Sequence, residues 1–95
     1  MISQPLPLFD LGQTVATPAA LDALAASGQS PSEFLSRHVR GDWGELSKED
    51  KVANDRALTW GERILSAYRT SQGTRVWIIT EADRSTTTIL LPQEY

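Results

Sequence analysis

At Arg63 the spacing of apolar residues changes from a period of 3.6 to a period of 2, and this break most narrows what the chain can fold into. Three runs follow, residues 63–70, 75–81 and 86–91, rich in Ile, Val, Thr, Tyr and Trp. The links between them, Ser71-Gln72-Gly73-Thr74 and Ala82-Asp83-Arg84-Ser85, are short enough that only antiparallel hairpins can form. The middle run, Val76-Trp77-Ile78-Ile79, is apolar on both faces, which fits a central strand with helices on one side and another cover, such as a partner chain, on the other. Two registers compete for the first hairpin. A four-residue loop sets Tyr68 opposite Trp77; a three-residue loop with Gly73 left-handed sets Arg63 opposite Glu81 but Arg69 against Arg75. The aromatic pair favours the first.

Upstream the signals are helical. Thr17-Pro18 reads as an N-cap with proline at the first helical position, opening a helix through Leu21, Leu24 and Ala25 to Gly28. Ser30-Pro31-Ser32-Glu33 reads as a capping box for a second helix carrying Phe34, Leu35, His38 and Val39 on one face, stopped by Gly41. Ser47, with Glu49 and Asp50 in the first turn, opens a third, whose stripe is Val52, Ala53, Arg56, Ala57 and Trp60 before Gly61. The expected fold is therefore α+β in one domain over residues 1–95: two to three N-terminal helices packed on a C-terminal three-stranded antiparallel meander, which a short strand around Val15 extends to four. Leu21, Leu24, Phe34, Leu35, Val39, Val52 and Trp60 are expected to cover one sheet face. Residues 1–11, broken by Pro5 and Pro7, are expected to be extended or loosely ordered.

Composition removes several functional classes. Without cysteine there is no disulfide, thiolate catalysis, zinc-thiolate site or iron–sulfur cluster. No apolar run approaches the length of a bilayer span, and Met1-Ile2-Ser3-Gln4-Pro5 lacks the basic and apolar regions of a signal peptide, so a cytoplasmic address is expected. A net charge of -3 disfavours a protein that lives on bulk phosphate attraction. The charge is uneven: residues 51–95 hold six basic against five acidic side chains. Four of those bases, Arg63, Arg69, Arg75 and Arg84, lie in or beside the strand runs, where a local docking patch could form together with Trp43 in its glycine-flanked loop.

Candidate chemistry is sparse. Glu81 and Asp83 at a strand end, with His38 or with the His38–Asp42 pair one helical turn apart, are the residues that a metal or a general acid–base pair would require. Turn formation explains Asp83, Arg84 and Ser85 equally well, and the position of His38 on an apolar stripe argues for a hydrogen-bonded core side chain. Phosphate-loop, dinucleotide, zinc-protease and nucleophile-elbow motifs do not occur, so no catalytic residue, metal ligand or cofactor is assigned.

Several segments nonetheless form a pattern: Leu8-Phe9-Asp10-Leu11-Gly12, Thr17-Pro18, residues 34–44 (Phe34 to Gly44), Arg63-Ile64-Leu65-Ser66-Ala67-Tyr68, and residues 77–92 (Trp77 to Pro92). With these the chain resembles the small bacterial proteins described as plasmid-related protein, some of which carry the description type I restriction endonuclease modification subunit. The resemblance spans nearly the whole chain and implies genomic company with plasmids and integrated elements. It carries over no catalytic residue, and the chain lacks both the cofactor domain and the Asn/Asp-Pro-Pro-aromatic motif of a methyltransferase. The leading expectation is a small non-enzymatic interaction or regulatory protein of mobile DNA, binding a protein partner or itself through the C-terminal sheet. The alternatives are a nucleic-acid-binding accessory factor with an Arg/Trp patch, and a metal-dependent nuclease or phosphodiesterase built on Glu81, Asp83 and His38.

Overall fold

The structure is a computed structural model that describes residues 6–95. Along the chain run β1 (Gln13–Ala16), α1 (Pro18–Ala26), α2 (Pro31–Val39), α3 (Lys48–Trp60), β2 (Ile64–Arg69), β3 (Arg75–Thr80), β4 (Thr86–Leu90) and a closing 3-10 turn (Pro92–Glu94). The fold is α+β, as the change of period implies. One mixed sheet has the order β1-β4-β3-β2, with β2, β3 and β4 antiparallel and β1 parallel to β4. Parallel pairing follows from the long crossover: three helices and two strands separate β1 from its neighbour.

Helix starts are set locally. Thr17 and Ser47 accept from the amides of Ala20 and Asp50, as their sequence positions imply. The capping box expected at α2 does not form: Ser30 bonds the Ser32 hydroxyl, while Glu33 is held by Gln29. Before β1, residues 6–12 run without regular structure, yet Leu8 N–H reaches Val39 O at 2.8 Å and Phe9 packs beside His38 and Trp43. The remainder of the stretch expected to be extended, residues 1–5, lies outside the described residues.

The first hairpin takes the register that pairs Arg69 with Arg75 and Ala67 with Trp77, not the one that pairs Tyr68 with Trp77. Two forces overrule the aromatic pair. Gly73 sits at φ +86° and closes a three-residue loop, with Thr70 and Thr74 bonded across it at 2.8 Å. A slip of one residue would also exchange the faces of β2, exposing Ile64 and Tyr68, both buried here. The like-charge pair is relieved from outside, because Arg69 reaches Glu45 at 3.3 Å.

Alternation along this register divides the sheet. Ile64, Ser66, Tyr68, Val76, Ile78, Thr80, Thr87 and Ile89 share the helix-covered face, meeting Ala20, Leu24, Phe34 and His38. Leu21, Val52 and Trp60, expected in that layer, are instead exposed, Trp60 at 71%. For Val52 and Trp60 the reason lies in α3. It presents the smaller Asn54 and Ala57 because it packs against the β2 edge at backbone distance, and so turns Trp60 outward. Asn54 donates to Leu65 O at 2.6 Å and accepts from Leu65 N at 3.2 Å, while Ala67 exchanges bonds with Trp43 O and Glu45 N. The β2 edge is thus sealed. Asn54→Ala should lower stability by about 2–3 kcal/mol, since it strands two backbone groups, and should speed hydrogen exchange at the Leu65 amide. Unchanged exchange at Leu65 would contradict this.

Candidate functional site

His38 is fully buried between β2 and β3. Its Nδ1 lies 2.5 Å from Ser66 Oγ and its Nε2 2.9 Å from Thr80 Oγ1. Thr80 in turn contacts Thr87 Oγ1 at 2.7 Å, and the Thr87 hydroxyl donates to Leu11 O at 2.7 Å. A carbonyl can only accept, so the chain has one direction. Thr87 gives its proton to Leu11, Thr80 gives to Thr87, His38 Nε2–H gives to Thr80, and Nδ1 accepts from Ser66. Burial, aided by the positive charge of Arg84, lowers the His38 pKa to about 4, so the imidazole is neutral at neutral pH. A serine facing a neutral imidazole nitrogen resembles an activated nucleophile, but both side chains are closed to solvent and no substrate can reach them.

The other members of the expected polar cluster are not gathered around this histidine. Asp42 pairs with Arg37 at 2.7 Å, which holds its carboxyl below the usual range, and it caps Gly44 N. Asp83 accepts from both the amide and the hydroxyl of Ser85, as turn chemistry requires, and these bonds keep its pKa low. Glu81 stays exposed. Among the described residues, no group of three or more His, Asp or Glu side chains could hold a metal ion.

The expected docking residues separate into two groups. Trp43 is not a surface anchor: it is 4% exposed, its indole donates to Asp55 at 3.1 Å, and it stacks near Phe9 in a core with Ala57 and Ile64. The glycine-flanked loop folds inward because the Trp43 and Glu45 backbone pairs with Ala67. Arg84 is already engaged within the chain. Held at φ +61°, its guanidinium donates to the carbonyls of Glu62 at 2.6 Å, Ala57 and Glu81 at 3.1 Å, and Ala82 at 3.2 Å. It pairs with neither acid of its turn and instead pins the β3–β4 turn to the end of α3.

Arg63, Arg69 and Arg75 share the sheet face away from the helices, but only Arg69 and Arg75 are neighbours, paired at the hairpin end, while Arg63 stands at the opposite end of β2. That face carries Leu65, Ala67, Trp77, Ile79, Thr88 and Leu90, with Val15 beside Thr88. Among the described residues no helix lies across it, yet Ala67, Ile79 and Leu90 are buried, and the closing 3-10 turn sets Tyr95 edge-on to Trp77 at 5.6 Å, with Arg63 above the tyrosine ring at 5.5 Å. Arg63, Leu65, Trp77, Ile79 and Tyr95 line a shallow cavity of about 190 Å³. Among the described residues, neither Arg63 nor Arg75 takes part in an ion pair. Sequence reasoning missed Leu65 and Tyr95 here; the alternation of β2, counted from the correct register, was the signal for Leu65. Among the described residues, no helix is long and apolar enough to cross a membrane. Searches against protein-family models, curated proteins and solved structures find no match to this chain.

Proposed function

We propose that this chain is a small non-catalytic adaptor, of the kind carried by plasmids and other mobile elements, that binds a partner protein through the helix-free face of its sheet. The observation that supports it is a shallow cavity whose apolar lining, the half-buried Leu65 and Trp77 over the buried Ile79, lies between two arginines that have no ion-pair partner among the described residues. Charge complementarity defines the partner: an apolar segment flanked by carboxylates, which Arg63 and Arg75 engage in bidentate fashion. Two further facts favour this over the alternatives. The Ser66–His38 contact is sealed from substrate, and Trp43 lies in the core, where no nucleobase can stack on it.

Capture from a native host with parent and variant chains tests this reading. The Arg63→Glu/Arg75→Glu double variant reverses two exposed charges without touching the core, and should weaken the complex at least tenfold, about 1.4 kcal/mol. Arg56→Glu, on exposed α3 surface, should leave it intact. A complex that survives the double variant contradicts the proposal. So does a salt-sensitive affinity for single-stranded oligonucleotides abolished by the same double variant, which would make the face a nucleic-acid site.

A further inference from the structure

The two edges of the sheet are treated differently. Asn54 and the residue 43–45 backbone occupy every outward group of Leu65 and Ala67 on the β2 edge. On β1 the amides of Gln13 and Thr17 point to β4, at 2.9 Å from Ser85 O and 3.0 Å from Ile89 O. Alternation then turns Thr14 and Ala16 outward, each with one N–H and one C=O. Apart from its shortness, the four-residue strand Gln13–Ala16 carries no guard of an exposed edge: no charge, no proline, no bulge. Val15 on its open face is 42% exposed. On the helix side, an apolar groove of about 150 Å³ runs beside the edge, lined by Thr14, Val15, Ala16, Pro31, Leu35 and Ile89.

We infer that this edge pairs antiparallel with the same strand of a second copy, joining two four-stranded sheets into one of eight strands. The edge is self-complementary. A two-fold axis at Val15 sets Thr14 of one copy against Ala16 of the other, and these two reciprocal pairs use all four outward groups of each strand. Val15 meets its own counterpart on the open face, where a cross-strand aliphatic pair excludes water. The incoming Thr14 and Ala16 side chains point to the helix side, and their small size suits the groove. The same register sets Gln13 opposite Thr17, whose hydroxyl donates to Glu94 at 2.7 Å, so an amide rather than a like charge approaches that carboxylate. A four-residue strand with one flanking groove is a small interface, so the dimer is micromolar and reversible. This surface is separate from the arginine-rimmed centre of the sheet and does not depend on a partner for it.

Sedimentation velocity from micromolar to millimolar chain, with amide exchange followed by NMR, tests this. The mass should rise from 10.5 kDa towards twice that value, and the Thr14 and Ala16 amides should gain protection with concentration. Those of Gln13, Val15 and Thr17 should be protected throughout. Val15→Lys opposes two ammonium groups across the axis, and Thr14→Pro removes an outward donor where an edge strand tolerates proline. Each should raise the dissociation constant at least tenfold, and retained protection at Gln13 and Thr17 will show that β1 still pairs with β4. A chain monomeric up to millimolar concentration overturns the inference. A dimer that ignores both variants but breaks in Arg63→Glu/Arg75→Glu overturns it as well, since that contact would use the sheet face.

Discussion

Gly44→Ala is expected to abolish the cooperative fold. Gly44 sits at φ +75°, and a Cβ there would stand 2.0 Å from Ala67 O and 2.7 Å from Tyr68 Cδ1. The left-handed conformation alone costs a non-glycine residue about 1–2 kcal/mol. The contact is worse, because the obstacle is backbone held on both sides: Glu45 N reaches Ala67 O at 2.6 Å, and Ala67 N reaches Trp43 O at 3.1 Å. Relief requires pulling residues 43–45 off β2, which breaks both bonds and lifts Trp43 from its core. The combined loss should exceed about 4 kcal/mol, a large part of the stability of a domain this small. Gly28→Ala is the control. It has a similar φ of +70° but nothing within 4 Å of the added carbon, so it should cost only about 1–2 kcal/mol. Urea unfolding followed by tryptophan fluorescence separates them. If Gly44→Ala unfolds within about 1 kcal/mol of the parent, the tight seal of the β2 edge is wrong.

The second large effect concerns His38. Removing the imidazole leaves Ser66 without its acceptor and Thr80 without its donor in a dry interior, and opens a cavity among Phe9, Trp43 and the sheet. His38→Ala should cost about 3–5 kcal/mol. The same burial makes the protein acid-labile. The pKa falls from 6.5 in the unfolded chain to about 4 in the folded one, so between these values the unfolded state binds the extra proton. Stability is therefore full above pH 6.5, declines as the pH drops towards 4, and levels off below. Over that window the loss should be roughly 3 kcal/mol. Asp42 and Asp83 are held below the usual carboxylate range, so the stability they contribute is present at neutral pH and is lost only as the pH falls through that range and below. Urea midpoints from pH 7 to pH 4 measure the slope for the parent chain and for His38→Gln, whose amide keeps a donor and an acceptor but has no proton to gain. Equal slopes in the two proteins would remove His38 as the cause.

Much of the architecture was legible because it is written in local chemistry. Period and turn residues place the helices and strands close to where they stand, and the doubly apolar β3 is central, as its composition requires. What escaped is set by contacts distant in sequence. The hairpin register turned on burying Ile64 and Tyr68 rather than on the most favourable single pair, and no window around Ser71–Thr74 contains that information. Trp43 looked exposed between two glycines, yet Gly44 is there to let the backbone close against Ala67. Trp60 completed a plausible stripe, but Asn54 decides which side of α3 meets the sheet. The buried polar chain left a trace that was readable in principle. Ser66, Thr80 and Thr87 are polar letters at inward positions of three adjacent strands, and a buried hydroxyl needs a partner such as His38. Arg84 gave no such trace, since its role depends on the carbonyls at the end of a helix more than twenty residues earlier.

Under this proposal the molecule has one division of labour: the polar groups that look like chemistry hold the fold together, and the helix-free side of the sheet is the surface proposed for the partner. Hydroxyl-radical footprinting of the free chain and of its captured complex tests that division most directly, because it reads side-chain exposure residue by residue. Oxidation of Leu65, Trp77 and Tyr95 should fall several-fold in the complex, while Trp60 on the outer side of α3 keeps its free-chain rate. Protection at Trp60 and along α3, with Trp77 and Tyr95 unchanged, would place the partner on the helical layer and contradict the account.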